Sequence, residues 1–382
     1  MGQKEGRPLG LPFFFEPTRN PIQSKNRAVG NFKGPRKMSR SFRIVTNMTL
    51  AVLVVLTSIL FLAPENAQSQ EPSLEGNGGW IGPRGPVPPP DLEGKVVLFD
   101  FWDYTCINCI RTFPHLNALY KKYKNRGLVV VAIHAPEFSF AAEPKRVENA
   151  IRLYKLTFPV LLDKNQRLWN RFHNHYWPAD YLFDRKGHLV YHAFGEGGYD
   201  LLEGQIRQAL HLSPEMGPSN EPEFPESLTP ELYAGTDRGH IGNPSGFHPE
   251  GMALYAGNSP PPSLITLRGP WRTEADRIVS RRPINGKSSS LTVIYHGTGV
   301  NAVLKRAEGK KPLDVLVYLD GKPLLEKGFG KDIRILSSHR PGILLREARM
   351  YSLVSGLPFS EHRLELVFPD RGAALYTLTF NP

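Results

Sequence analysis

Two cysteines occur in the 382 residues, Cys106 and Cys109, three positions apart. They follow Val96 to Phe101, an apolar run suited to a buried parallel strand. A helical pattern begins at once behind them. Disulfide exchange starts with attack by a thiolate, so one cysteine of such a pair must be exposed and easily ionised. Cys106 falls in the first helical turn, where unpaired N–H groups and the positive end of the helix dipole favour a thiolate. Cys109 falls one turn deeper, placed to attack a mixed disulfide and release the partner. Asp100 is a lone acid in the apolar strand, costly there without a task, and it is placed to take and return the proton of Cys109. Asp103 reads in two ways, as a charge opposing thiolate formation or as a solvated surface residue. A zinc site would need two more ligands, and there is no second Cys pair or spaced His pair. A structural disulfide closing so short a loop would constrain the unfolded chain little. The pattern predicts a redox pair with no metal and no cofactor.

The elements that must hold this pair can be read on either side of it. Cys106 to Asn125 predicts a helix with Ile110, Phe113, Leu116, Leu119, Tyr120 and Tyr123 on its inner side, kinked by Pro114. Leu128 to Ile133 reads as a second buried strand, Glu143 to Tyr154 as a helix, Phe158 to Asp163 as a strand and Gln166 to Phe172 as a helix. Trp177 to Phe183 and His188 to Tyr191 flank a turn, and Tyr199 to Leu210 closes as a helix. This order predicts a sheet with parallel strands and a terminal hairpin, sandwiched by helices.

Net charge is +11, which raises nucleic acid as a partner, but ten Lys/Arg and two acids fall in residues 1–47, so +8 of the +11 sits there. The basicity belongs to the N-terminal segment and makes no nucleic-acid-binding face. An uncharged run, 48–63, follows it, and Ala67-Gln68-Ser69 supplies small residues for a processing site. Together these predict an export signal or a membrane anchor that leaves everything beyond residue 70 outside the cytoplasm. Residues 64–90 read as a Pro-rich spacer, 91–212 as the α/β domain and 213–228 as a second linker. From 229 to 382, short alternating runs such as Leu313 to Leu319, Arg363 to Phe368 and Ala374 to Phe380 alternate with turn signals. They predict an all-β sandwich. Trp271, Tyr295, Tyr318 and Tyr351 are candidates there for stacking on a sugar ring, or else for filling the sandwich core.

The strand with Asp100-Phe101-Trp102, the Cys-x-x-Cys, Pro114 and the later Trp177-Pro178 together resemble a thioredoxin fold. The longer strings Phe101 to Thr112, His134 to Phe138, Tyr176 to Phe183 and Phe194 to Gly197 resemble the thioredoxin-like part of DipZ-type proteins, relatives of the TlpA thiol–disulfide oxidoreductases. Thr229 to Tyr233, Gly269 to Trp271, Val315 to Gly321 and Arg349 to Val354 resemble the carbohydrate-binding-module-like C-terminal sandwich of the same proteins. The resemblance implies a cis Pro178 lying against the disulfide where partner backbone docks, with Trp102, Thr105 and Trp177 as further docking residues. It implies protein thiols and disulfides as partners, and a carbohydrate or protein ligand for the sandwich. Only one apolar segment precedes the α/β domain, so reduction is expected from a separate CcdA/DsbD-like membrane donor, unless the protein works as an oxidant. Glu137 with His134, after the second strand, are read either as the rim of the site or as an ordinary loop acid and strand-end histidine.

The expected function is therefore an exported thiol–disulfide oxidoreductase, with cytochrome c biogenesis among its roles. Two alternatives stand beside it. An AhpC/TSA-like thiol peroxidase has a similar fold but wants Thr three residues before its reactive Cys, where Asp103 stands. A copper- or thiol-binding protein usually spaces its cysteines one residue further apart.

Overall fold

A computed structural model describes residue 74 and residues 78–214, 222, 224–248, 251–257 and 259–382. The basic segment, the apolar run, much of the spacer and part of the second linker lie outside the described residues. Among the described residues no helix is long and apolar enough to cross a membrane.

The first module is a six-stranded sheet. Its strands are β1 (Trp80–Ile81), β2 (Val96–Trp102), β3 (Leu128–His134), β4 (Val160–Leu162), β5 (Ala179–Phe183) and β6 (Leu189–Phe194), in the spatial order β1-β4-β3-β2-β5-β6. β2, β3 and β4 are parallel, while β5 and β6 form an antiparallel hairpin beside β2. Alternation along β2 sends Leu98 and Trp102 to one face, and Phe99 and Phe101 to the other. On the first face pack α1 (Ile107–Tyr123), α2 (Pro144–Leu153) and α4 (Tyr199–Ala209). On the second packs α3 (Arg167–Arg171) with Trp169 and Phe172. α1 runs through Pro114 without ending.

β1 corrects the spacer reading. Trp80 and Ile81 pair with Leu161 and Val160, and Gly78 N–H donates to Leu162 O at 3.0 Å. The folded module therefore begins before Asp91, within the stretch read as a stiff lead-in. A two-residue edge strand is too short to leave a periodic signal.

The second module places thirteen strands in one antiparallel sheet. They are β7 (Leu232–Tyr233), β8 (Gly251–Ala256), β9 (Thr266–Thr273), β10 (Ile278–Ser280), β11 (Ser289–Gly297), β12 (Gly299–Arg306) and β13 (Leu313–Leu319). The rest are β14 (Lys322–Pro323), β15 (Arg334–Ile335), β16 (Pro341–Leu345), β17 (Arg349–Val354), β18 (Ser360–Phe368) and β19 (Ala373–Asn381). The strands form a continuous hydrogen-bonded path, and one hydrophobic cluster draws residues from both of its halves. Tyr295 of β11 stacks on Phe380 of β19 at 5.0 Å, so the sheet folds back on itself into two layers. Trp271, Tyr295 and Tyr351 are buried in that core. No sugar can stack on them, and they fill the sandwich instead.

The two modules share a core. Tyr376 of β19 packs against both the Phe138 and Phe140 rings, at 4.9 and 5.0 Å. Val279, Val303 and Ala374 join the cluster that covers the α1 face of the first sheet. Arg111 of α1 donates to Glu196 at 3.1 Å and to Asn381 at 2.5 Å.

Candidate active site

The site begins where β2 stops and α1 starts. Cys106 is the N-cap of α1, with extended backbone, and its Sγ accepts the Cys109 N–H at 3.1 Å. That contact satisfies one of the otherwise unpaired donors of the first turn. Cys106 and Cys109 are joined as a disulfide with Cα atoms 5.3 Å apart. Cys106 keeps part of its surface exposed, whereas Cys109 is buried against the first sheet. One sulfur can meet a partner and the other can reach only its neighbour.

The loop carrying Cys106 is held by Asp103. Its Oδ1 accepts the Thr105 N–H at 3.0 Å and its Oδ2 the Glu137 N–H at 2.6 Å, with His134 Nε2 3.5 Å from Oδ1. Asp103 is fully buried, so the reading as a solvated surface residue fails. The carboxylate ties the segment before Cys106 to the segment after β3. His134 is likewise buried, between Trp102 and Tyr104, and supports the loop from beneath.

Asp100 lies opposite Asp180 in the β2–β5 register. Both carboxyls project to the face of Leu98, Trp102 and Leu182, residues that share a cluster with Cys109. Asp100 is fully buried and neither oxygen has a hydrogen-bond partner; Oδ1 of Asp180 has none either. Burial first, then the charge of Asp180, holds the Asp100 carboxyl well above the usual range. Burial pushes Asp180 up to about 7. Asp180 was not anticipated from the sequence, although it stands two residues after Pro178.

A cavity of about 200 Å³ opens onto Cys106. Trp177 lines it, its indole N–H donating to Ala135 O at 2.9 Å and its ring stacked on Trp169 at 4.0 Å. The Trp177–Pro178 bond is cis. Two of the expected docking residues do not reach the cavity. Trp102 is sealed between Phe113 and His134, and Thr105 is 2% exposed. Both point into the loop's interior, because the strand's alternation and the Asp103 clamp turn them inward.

The second module's share in the far wall of the cavity was not anticipated. Glu137 lies in it, and Glu231, Tyr233, Arg238 and Thr379 come to it from the second module. Arg238 pairs with Glu137 at 2.8 Å and lies 3.8 Å over the Tyr233 ring. Of the two readings of Glu137 and His134, the rim reading describes Glu137 alone.

The AhpC/TSA family model matches residues 79–192, and the model described as thioredoxin like C-terminal domain matches residues 229–381. Protein DipZ of Mycobacterium tuberculosis is 35% identical over 266 residues, 66% of this chain and 36% of that protein. The chain thus spans about a third of that relative's length. The α/β module is similar in sequence to thioredoxin-like thiol–disulfide oxidoreductases. The thiol-disulfide oxidoreductase ResA of Bacillus anthracis is 35% identical over 118 residues, 31% of this chain and 65% of that one. A solved thioredoxin-like protein in the oxidized form is 31% identical, covering 37% of this chain and 94% of that one, with a TM-score of 0.34. The chain thus carries its cysteine pair in the stretch matched by the first family model, and three acidic, phenolic and basic wall residues in the stretch matched by the second.

Proposed function

We propose that the chain is an exported enzyme that exchanges the Cys106–Cys109 disulfide with the thiols of other proteins. The observation that carries this reading is the asymmetry of the pair: one sulfur at a helix N-terminus facing a cavity, the other buried one turn behind. Cys106 is the attacking thiolate, Cys109 the resolving thiol, and Asp100 the group that takes the Cys109 proton. Pro178 and Trp177 border the place where the partner's backbone docks. A reductive direction, with a separate CcdA/DsbD-like membrane donor and apocytochrome among the substrates, is what the resemblance of the motifs to DipZ- and TlpA-type proteins implies. Export rests on the basic flank and the apolar run at 48–63.

The test is trapping. In cells, Cys109→Ser accumulates mixed disulfides with partner proteins, because the attacking thiol remains and the resolving thiol is gone. Cys106→Ser accumulates none. Equal trapping by both variants would remove the assignment of roles.

A thiol peroxidase is the second reading, favoured by the AhpC/TSA match over residues 79–192. Against it, the position three before Cys106 is Asp103, whose oxygens are engaged by backbone N–H groups. A peroxide rate constant no better than that of free cysteine sets this reading aside.

A further inference from the structure

The wall of the cavity facing Cys106 holds more acid than cation. Glu137 Oε1 lies 3.0 Å and Glu231 Oε2 3.1 Å from the Tyr233 hydroxyl. A phenol has one hydrogen, so it can donate to one of these carboxyls only. The other contact is a hydrogen bond only if that carboxyl is protonated and donates to the phenol oxygen. The remaining partners leave room for that proton. Glu137 faces Arg238 at 2.8 Å, while its backbone N–H is taken by Asp103, itself acidic. Glu231 accepts from Thr377 Oγ1 at 2.8 Å. His175 borders the same cavity. Two carboxyls thus share one guanidinium, and the Glu137 side chain is only 5% exposed.

We propose that the Glu137–Tyr233–Glu231 chain is a proton store that protonates the thiolate departing from a substrate disulfide. This rests on the oxidoreductase reading and extends it to the substrate side of the site, with two of the three groups supplied by the second module. The step balances as follows. The Cys106 thiolate attacks one sulfur of R–S–S–R′, a Cys106–S–S–R bond forms and the S–S bond of the substrate breaks. R′S⁻ leaves and takes the proton from the chain. Cys109 then gives its proton to Asp100 and attacks Cys106 Sγ, and RS⁻ leaves. The dithiol is oxidised and the substrate is reduced by two electrons. Burial, then the charge of Glu231, pushes Glu137 up to about 8, which keeps a proton in the chain at neutral pH. The Asp100–Asp180 pair takes the proton of Cys109, so protonation of the leaving thiolate and deprotonation of the resolving thiol use separate groups.

Leaving-group dependence tests this. An alkyl thiolate needs a proton as it departs, whereas an aromatic thiolate that leaves as a stable thione does not. The pre-reduced full chain is mixed, in single turnover, with bis-hydroxyethyl disulfide and with dithiodipyridine. For Glu137→Gln combined with Glu231→Gln, the alkyl rate at pH 7 falls by about tenfold or more, while the aromatic rate changes by less than about twofold. Tyr233→Phe keeps the ring and the packing and lowers the alkyl rate in the same selective way. In the unaltered protein the ratio of alkyl to aromatic rates falls as pH rises through about 8, and in the double variant it does not. Equal slowing of both probes, or an unchanged ratio, overturns the proton store and assigns these residues to structure. If the unaltered protein cleaves neither probe, the oxidoreductase reading itself fails.

Discussion

Asp100 places an ionisable group where the fold gives it neither water nor a hydrogen bond. Its pKa in the folded state is raised, by burial and then by Asp180. Below the ordinary carboxylate range the group is neutral in both the folded and unfolded chain, and stability is complete. As pH rises past that range the unfolded chain ionises first, and stability is lost until the folded group ionises too. Asp100→Asn therefore stabilises the protein at pH 8, on the order of 1–3 kcal/mol, and the advantage closes towards pH 4. Urea unfolding at the two pH values measures it; an advantage independent of pH would contradict this account. At this scale the sequence was readable where chemistry is scarce: a solitary cysteine pair and an acid among Val, Leu and Phe. It was unreadable where direction decides. Trp102 and Thr105 are the right residue types in the right place, but they face inward. Asp180 enters only through a strand register that no local pattern contains.

Elements show the same division. β2, β3 and α1 were legible because their buried faces repeat with the period of their secondary structure. β1 was not, and the chain leading into it lies tightly against β4. A Cβ on Gly78 would meet Leu162 Cβ at 2.4 Å and its carbonyl oxygen at 2.6 Å. Gly78→Ala should therefore push β1 off the sheet edge, at about 1–3 kcal/mol, visible as faster amide exchange at Leu162, whose N–H donates to Gly79 O. Unchanged protection there would show that the edge can adapt. β9 was hidden for another reason. Gly269-Pro270 at its middle reads as a break, yet Gly269 takes φ +81° where the Ser288 carbonyl approaches closely. The Pro270 carbonyl accepts from Arg281 N–H at 3.2 Å. The strand bends there and continues.

At the scale of the whole molecule, the second module contributes part of the site and part of the core. Tyr376 is the joint, fully buried against two phenylalanines of the first module and hydrogen-bonded to Arg277 at 3.3 Å. Removing its ring should cost about 3–5 kcal/mol and uncouple the modules. We expect one unfolding transition for the unaltered protein and two for Tyr376→Ala, followed by far-ultraviolet circular dichroism against thiol accessibility after reduction. Two transitions in both would mean that the shared core is not cooperative. The module boundary was legible as a change of period, from helices to short alternating strands, but the contact across it was not. Docking of one module on another is written in side chains dozens or hundreds of residues apart, such as Phe138 and Tyr376. The recessed position of Cys106 has a social consequence. Because the second module raises a wall beside that sulfur, a partner must meet it from the side that the wall leaves open. The β module thereby takes part in choosing which partners the sulfur can meet.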